Sequence, residues 1–539
     1  MLSIRGSEKP ILRKAVQLSV LLLLLGSLMQ SNTGIAAPDA PRTIITVNTN
    51  ADEFDVSGSG SGCSLREAIQ TANTGLNFGG CVMDGSGAMA ISIPAGTYQL
   101  SRHGYFEDLN ETGDLDIKVT IDLYGADAGT TIIRGDDDAI EHDRVFHIVE
   151  DNESDYVVTM WDLSITGGNS GLSDGGGILN EESLWVSRVD IYNNETQASG
   201  GGVSSEPAHT GQGFRAYLNS SISNNSAASN VGGGIYLFDG QLLLDHVEIT
   251  GNTAINGAGV FLVGDGATIS WTNLYANIAS GNGAGIYAAG EGLSLEDSGV
   301  YDNSTGGDGG NLFFASRSGT SRVVRCYIGG GQAASGAGAG IYTAADLYIS
   351  SSTIALNTGD HAAGIYRASP ATSGELLTIF DSTIANNNTA LPGVLFGEGL
   401  YNAQNLTDIT IRNSIFSGNG NSESDDDNCL SANPARLVSL GFNLDSGDSC
   451  GFSLGSDQAD TDPLLGTLDY HNGFTLNYDL MSGSPALETG GACLATDQRG
   501  FSRPMDQDRD GIALCDIGAF EAEPYFLPPQ AWFPLIKKP

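Results

Sequence analysis

The sequence predicts an all-β chain: a right-handed parallel β-helix, a solenoid of about nine or more coils with a short capping helix near its start. Three observations predict it. A glycine cluster followed by an aliphatic residue recurs at Ile178, Val203, Ile235, Val260, Ile286, Leu312, Ile341, Ile365 and Leu400, with gaps of 25, 32, 25, 26, 26, 29, 24 and 35 residues. An aliphatic residue three before an asparagine recurs as Ile191/Asn194, Ile222/Asn225, Ile249/Asn252, Leu274/Asn277, Val300/Asn303, Ile354/Asn357 and Ile384/Asn387. The runs between them (LLLDHVEI, LYISSSTI, LTIFDSTI) alternate apolar and polar residues, the period of a strand and not of a helix.

A unit of about 25 residues holds three short strands and their turns. Stacked coils place equivalent residues ~4.8 Å apart, so about nine rungs make a rod of roughly 40 Å. Aliphatic ladders then face inward, an asparagine at a turn can bond its equivalent one rung on, and the glycines supply φ > 0 at sharp turns. The tyrosines after the glycines (Tyr236, Tyr287, Tyr342, Tyr366, Tyr401) form a further row. They are read either as ladder packing or, with the asparagines, as a face for an extended sugar chain.

Residues 1–36 read as a signal peptide, with Arg5, Lys9, Arg13 and Lys14 ahead of a leucine-rich stretch from Val16 to Met29 and small residues Gly34 and Ala36 at a cleavage site. The apolar stretch is short for a membrane span, and none is expected after signal removal. Residues 37–155 read as a cap and the first irregular coils. Here Ser64 and Glu67 form a capping box that starts a helix with Leu65, Ala68 and Ile69 on one face, suited to sealing the open first rung. Residues 156–420 are the coils, 421–522 a C-terminal region, and 523–539 a tail read equally as a sorting signal or a disordered end.

Seven cysteines include three local pairs outside the repeats, Cys63/Cys81, Cys429/Cys450 and Cys493/Cys515, expected as disulfides of an exported protein. Cys326 falls on a coil strand and reads as core packing. The net charge is −41, from 64 acidic and 23 basic residues, which excludes nucleic acid and anionic membranes as partners. Such acidity suits Ca²⁺, cationic partners or a saline exterior, or only keeps a secreted rod soluble.

Three stretches resemble known families. Cys63-Ser64-Leu65-Arg66-Glu67-Ala68-Ile69, with TGDLDI at 112–117 and DRVFHI at 143–148, resembles the CSLREA domain found near the start of bacterial exported β-helix proteins. The resemblance implies a cap and no catalytic role. The glycine and asparagine units are similar to repeats of polymorphic outer-membrane proteins, adhesin-like β-helices; the membrane barrel that ends those proteins has no counterpart series of alternating strands here. Asp462-Pro463-Leu464-Leu465, Gly483-Ser484-Pro485-Ala486, Asp497-Gln498-Arg499-Gly500, Arg503-Pro504 and Asp516-Ile517-Gly518 resemble the choice-of-anchor Q domain, a C-terminal module that precedes a surface-sorting tail.

The sharpest ligand signal is Asp506-x-Asp508-x-Asp510-Gly511-Ile512, with Asp516 beyond: oxygen ligands at positions 1, 3 and 5, a turn glycine, and the Ile512 carbonyl. A structural Ca²⁺ is the expected cofactor, with Asp516 standing in for the absent final glutamate. A β-helix hydrolase would need converging carboxylates, for which Asp136, Asp137, Asp138, Asp245 and Glu248 are the candidates. A lyase would need Ca²⁺ and a basic residue. The coil arginines (Arg188, Arg215, Arg317, Arg322, Arg325, Arg367, Arg412) show no such arrangement, Arg499 and Arg503 belong to the C-terminal motif, and His142 and His147 read as surface and strand residues. The expectation is a secreted or cell-surface scaffold, adhesin-like, that binds a polysaccharide or cell-surface glycan without catalysis; the alternative is a pectinase-like polysaccharide lyase or glycoside hydrolase. Oligomeric state is left open.

Overall fold

The computed structural model describes residues 42–524 except 57–61, 86, 106, 136–142, 151–155, 207–212, 316–318, 369–375, 390–396, 404–407 and 421–426. The signal peptide, Asp136, Asp137, Asp138, His142, Arg317 and the tail from 525 on lie outside the described residues.

The chain is a parallel β-solenoid of the right-handed type, of about 11 turns. Each regular coil contributes strands to two long faces and to a shorter third. The largest sheet, 25 strands among the described residues, is two ladders fused where the strands Val157–Thr166 and Ser183–Tyr192 run through both. A 12-stranded sheet runs from Leu115–Ile117 to Cys429–Ser431, and an 8-stranded sheet from Glu195–Thr196 to Asn388–Thr389 closes the section.

The glycine-plus-aliphatic units occupy the 12-stranded sheet in exact coil register, Ile178 against Val203, Ile235, Val260, Ile286, Leu312, Ile341, Ile365 and Leu400 in turn. All are buried, because in a strand alternate side chains face the core and a coil-long register keeps like on like. Two kinds of glycine serve each unit. Gly232 takes φ +69°, as expected of a turn. Gly234 is needed for closeness instead: a Cβ there would sit 2.6 Å from the Gly259 carbonyl oxygen and 3.2 Å from the Asn252 amide.

The corner between the two fused ladders was not legible as a turn. One residue per coil sits there in the left-handed region, and none is glycine: Asp162, Arg188, Asn219, His246, Trp271, Asp297, Arg325, Ser351, Asp381 and Asn413. Their side chains pair outside the coil, as in Arg188 with Asp162 (2.6 Å) and Arg325 with Asp297 (2.6 Å).

The expected asparagine ladder is present and more continuous than the sequence units suggest. Each Nδ2 donates to the Oδ1 of the next, from Asn194 through Asn225, Asn252, Asn277 and Asn303 to Asn311, then Asn357, Asn387, Asn419 and Asn428, at 2.7–3.1 Å. It ends on Asp445. A second internal column, of hydroxyls, accepts from backbone N–H groups one coil earlier: Thr272, Ser298, Ser352, Ser382 and Ser414. Cys326 stands in this column as a buried thiol, its Sγ against the Val324 carbonyl in the way a serine hydroxyl bonds two residues back.

Near the start, residues Leu65–Thr74 form helix α1 with the Ser64/Glu67 capping box formed from both sides. Leu65, Ala68, Ile69 and Ala72 are buried, and the helix packs on the strands Ala88–Ser92 and Leu115–Ile117. Arg66 is also buried, bound to Asp52 at 2.7 Å and to the carbonyls of Gly113 and Asp114. The three candidate pairs are disulfides, Cys63–Cys81, Cys429–Cys450 and Cys493–Cys515, which settles a connectivity that the sequence left open.

After the last coils the chain turns back along the rod. The hairpin Leu465–Asp469/Asn477–Leu480 lays Tyr478, Leu465, Leu468 and Leu476 over Tyr327, Ala355 and Ala385. Further anchors are Gln498 on Thr353 (2.6 Å), Thr475 on the Arg325 carbonyl and Ala519 on Thr383. The small outward residues Ala355 and Ala385 are what let the module lie flat against the sheet.

Candidate functional site

The C-terminal acidic loop assembles differently from its motif. Carboxylate oxygens of Asp506, Asp508 and Glu488 lie within 4.8 Å of one another. The N–H of Asp510 donates to Asp506 and Asp508, that of Gly511 to Asp506, and that of Ile512 to Asp510. Asp516, the expected closing ligand, is elsewhere: it is buried and accepts from the N–H groups of Glu488 (2.7 Å) and Ala522 (2.6 Å). Burial and the neighbouring Glu521 push its carboxyl up to about 7. Glu488, 18 residues before Asp506, is the carboxylate that lies beside Asp506 and Asp508 instead, in a turn that no linear motif displays. The oxygen donors fit a hard cation, although Glu488 also accepts from Gln507 and Asp508 N–H groups.

Arg503 and Arg499 are buried in ion pairs within the C-terminal region. Arg503 bonds Glu521 at 2.8 Å and lies 3.8 Å from Asp381, with all three side chains fully buried. Arg499 pairs with Asp497 at 2.7 Å beneath the rings of Phe501 and Phe520.

The two rows read either as ladder packing or as a sugar face are packed as ladders. The ladder asparagines are at most 1% exposed and spend their amides on one another. The tyrosines belong to a longer stack, Tyr236–Phe261–Tyr287–Phe313–Tyr342–Tyr366–Tyr401, with centroids 4.6–5.9 Å apart. The interior rings Phe261, Tyr287, Phe313, Tyr342 and Tyr366 have a neighbouring ring on either side, which leaves little free face on which a sugar could stack.

Among the described residues a different surface is open. Outside the second fused ladder the register sets Asp190, Ser221, Glu248 and Asn273 in one row and Tyr192, Ser223, Thr250 and Tyr275 in the next. The described C-terminal module covers this face from Tyr301 onward and stops at a step, where Phe474 meets Trp271 edge-on at 5.3 Å and Trp271 stacks on His246 at 5.9 Å. Trp271 is 40% exposed and holds φ +49°, a costly conformation for a bulky residue.

Of the coil carboxylates, Glu248 lies in this strip and Asp245 borders it. Asp245 accepts from Ser270 at 2.8 Å and faces His246 at 3.0 Å; Glu248 accepts from the Tyr275 hydroxyl. Asp190, not singled out by sequence, has its carboxyl raised by burial and by repulsion from Asp127 and Glu248. The described coil arginines are engaged elsewhere: Arg188 with Asp162, Arg325 with Asp297, Arg322 over Tyr348, Arg412 over Phe380, and Arg215 and Arg367 buried. His147 lies on a strand as expected but is buried, not on the surface.

No protein-family profile matches the chain, and no curated protein sequence does. Among solved structures, the crystal structure of pectate lyase Pel9A aligns over 91% of this chain and 98% of that one, with a TM-score of 0.32 and 14% identity.

Proposed function

We propose that the chain is an exported, secreted or surface-presented rod that holds a glycan without turning it over, with the ligand lying along the strip from Asp190 to Tyr275 against the Trp271–Phe474 step. The observation that carries this reading is the step itself. It leaves polar and aromatic groups uncovered on a ruled surface whose ~4.8 Å rungs suit an extended polymer. The strip carries Asp190, Asp245 and Glu248 with no described arginine turned to it, so the ligand is a neutral or cationic glycan and not a polyuronate.

The rest of the chain supports display. In this reading the CSLREA-like segment, through α1, seals the first coil, and the choice-of-anchor-Q-like region (421–522) stiffens the far end with two disulfides. A structural Ca²⁺ would be held by Asp506, Asp508 and Glu488, with the neighbouring Asp510 and the Ile512 carbonyl in reserve. Among the described residues no helix is long and apolar enough to cross a membrane.

The test applies the chain from residue 37 onward to immobilised neutral, basic and acidic polysaccharides, with new reducing ends and unsaturated-uronide absorbance followed in parallel. Retention on a neutral or basic polymer without new ends is expected; retention nowhere would sink the reading. A hydrolase is the second reading, favoured by Asp190 and Glu248, which lie two rungs (~10 Å) apart on one face. Turnover lost in Asp190→Asn would establish it.

A further inference from the structure

Two stretches noted in the sequence, TGDLDI and DRVFHI, become neighbouring strands, and their register pairs Asp116 directly with His147. Asp116 is 0% exposed and His147 7%. The Asp116 Oδ2 is fixed by the Asn110 N–H at 2.7 Å, but among the described residues neither its Oδ1 nor His147 Nδ1 makes a hydrogen bond of good geometry. Both atoms point to the same place, which Asp108 reaches from the loop before: Nδ1 lies 3.5 Å from Asp116 Oδ1 and 3.3 Å from Asp108 Oδ1.

Those separations are long for a charge-assisted hydrogen bond, ~2.7–2.9 Å. They match the edge of a tetrahedron around a cation with bonds of ~2.0–2.1 Å, which is ~3.3 Å. The outer groups also fit. His147 Nε2 faces Glu181 Oε2 at 3.3 Å, and Glu181 is held by the Glu150 N–H at 2.9 Å. A carboxylate on the far ring nitrogen fixes the tautomer that leaves Nδ1 free to bind a metal. Around the same point Asp114 and Asp143 are buried as well, with Arg144 bonded to Asp114 at 3.0 Å as their cation.

The geometry points to a divalent transition-metal site formed by His147 Nδ1, Asp116 and Asp108. One imidazole and two carboxylates select Zn²⁺, Mn²⁺ or Co²⁺ over Ca²⁺, which takes six to eight oxygens. The ion ties the loop carrying Asp108 to the first two coils of the 12-stranded sheet. This site is separate from the C-terminal acidic loop and does not rest on the glycan reading.

Metal-stripped chain is titrated with Co²⁺ and, by calorimetry, with Zn²⁺, in a background of Asp506→Asn and Asp508→Asn that removes the acidic loop. One equivalent with visible Co²⁺ bands is expected, weakened at least tenfold in Asp108→Asn and in His147→Gln. Asp108 is 60% exposed in its side chain, so its variant keeps the fold and the test does not depend on buried substitutions. Absent bands and heats, or binding unchanged in Asp108→Asn, would overturn the site and leave a protonated His147 as the internal counter-ion.

Discussion

Asn303 passes its side-chain amide to Asn311, eight residues along the chain, at 2.9 Å, and not to the residue one coil on, which is Gly331. Asn311 stands where the other coils have a glycine, and its own amide continues to Asn357 at 3.1 Å. The two residue types have exchanged places, and the ladder is unbroken because the exchanged amide reaches the same line. Asn428, in register with Gly399, does the same before Asp445.

Asn311→Gly therefore removes the link while leaving the backbone suited to the site. Asn303 Nδ2 keeps its bond to the Leu274 carbonyl and Asn357 Oδ1 keeps that from the Gly331 N–H, so the loss is one of two bonds at each, about 0.5–1.5 kcal/mol apiece. The unfolding midpoint should drop, and amide exchange should rise in the coils on either side more than at the rod ends.

Arg503→Met should release the C-terminal module before the coils melt. Its guanidinium is the cation for Glu521 and Asp381 in a site closed to water. Breaking such a pair costs about 3–5 kcal/mol. Limited proteolysis should then cut within 447–524 under conditions where the coil region stays intact.

Glu398 gives the rod a pH dependence. Its position is alanine in neighbouring coils (Ala339, Ala363), and burial there, with Asp427 adding repulsion, pushes the carboxyl up to about 7 from 4.5. A folded value above the unfolded one means that stability is fully present below about pH 4.5 and falls as pH rises through about 7, by up to about 3 kcal/mol. Glu398→Ala should flatten this slope between pH 5 and 8 and raise the melting temperature at pH 8.

The coils were legible because their determinants repeat: Ile235, Val260 and Ile286 occupy one inward position, and Gly234 and Gly259 one crowded position. The corner residues were not, since Arg188, His246 and Trp271 adopt a left-handed backbone that their side chains disfavour, and the coil imposes it. Whether the asparagines lined a sugar face or packed as a ladder stayed open for a related reason. Asn194 to Asn387 repeat, but repetition marks a ladder and does not say whether it faces in or out. The back-folded module was hidden because Ala355 and Ala385 look like ordinary small strand residues until Tyr478 lies on them. Glu488 was missed at the acidic loop since its approach depends on the turn held by Asp516.

The central claim, that the uncovered strip and not the aromatic stack holds the ligand, is tested most directly by comparing Trp271→Ala with Tyr342→Ala on the polysaccharide that retains the parent chain. Both variants are first checked for an unchanged β-sheet circular dichroism spectrum. The account predicts that Trp271→Ala loses retention at least tenfold, while Tyr342→Ala binds as the parent does and only melts earlier. Full retention by Trp271→Ala, with loss in Tyr342→Ala, would contradict it.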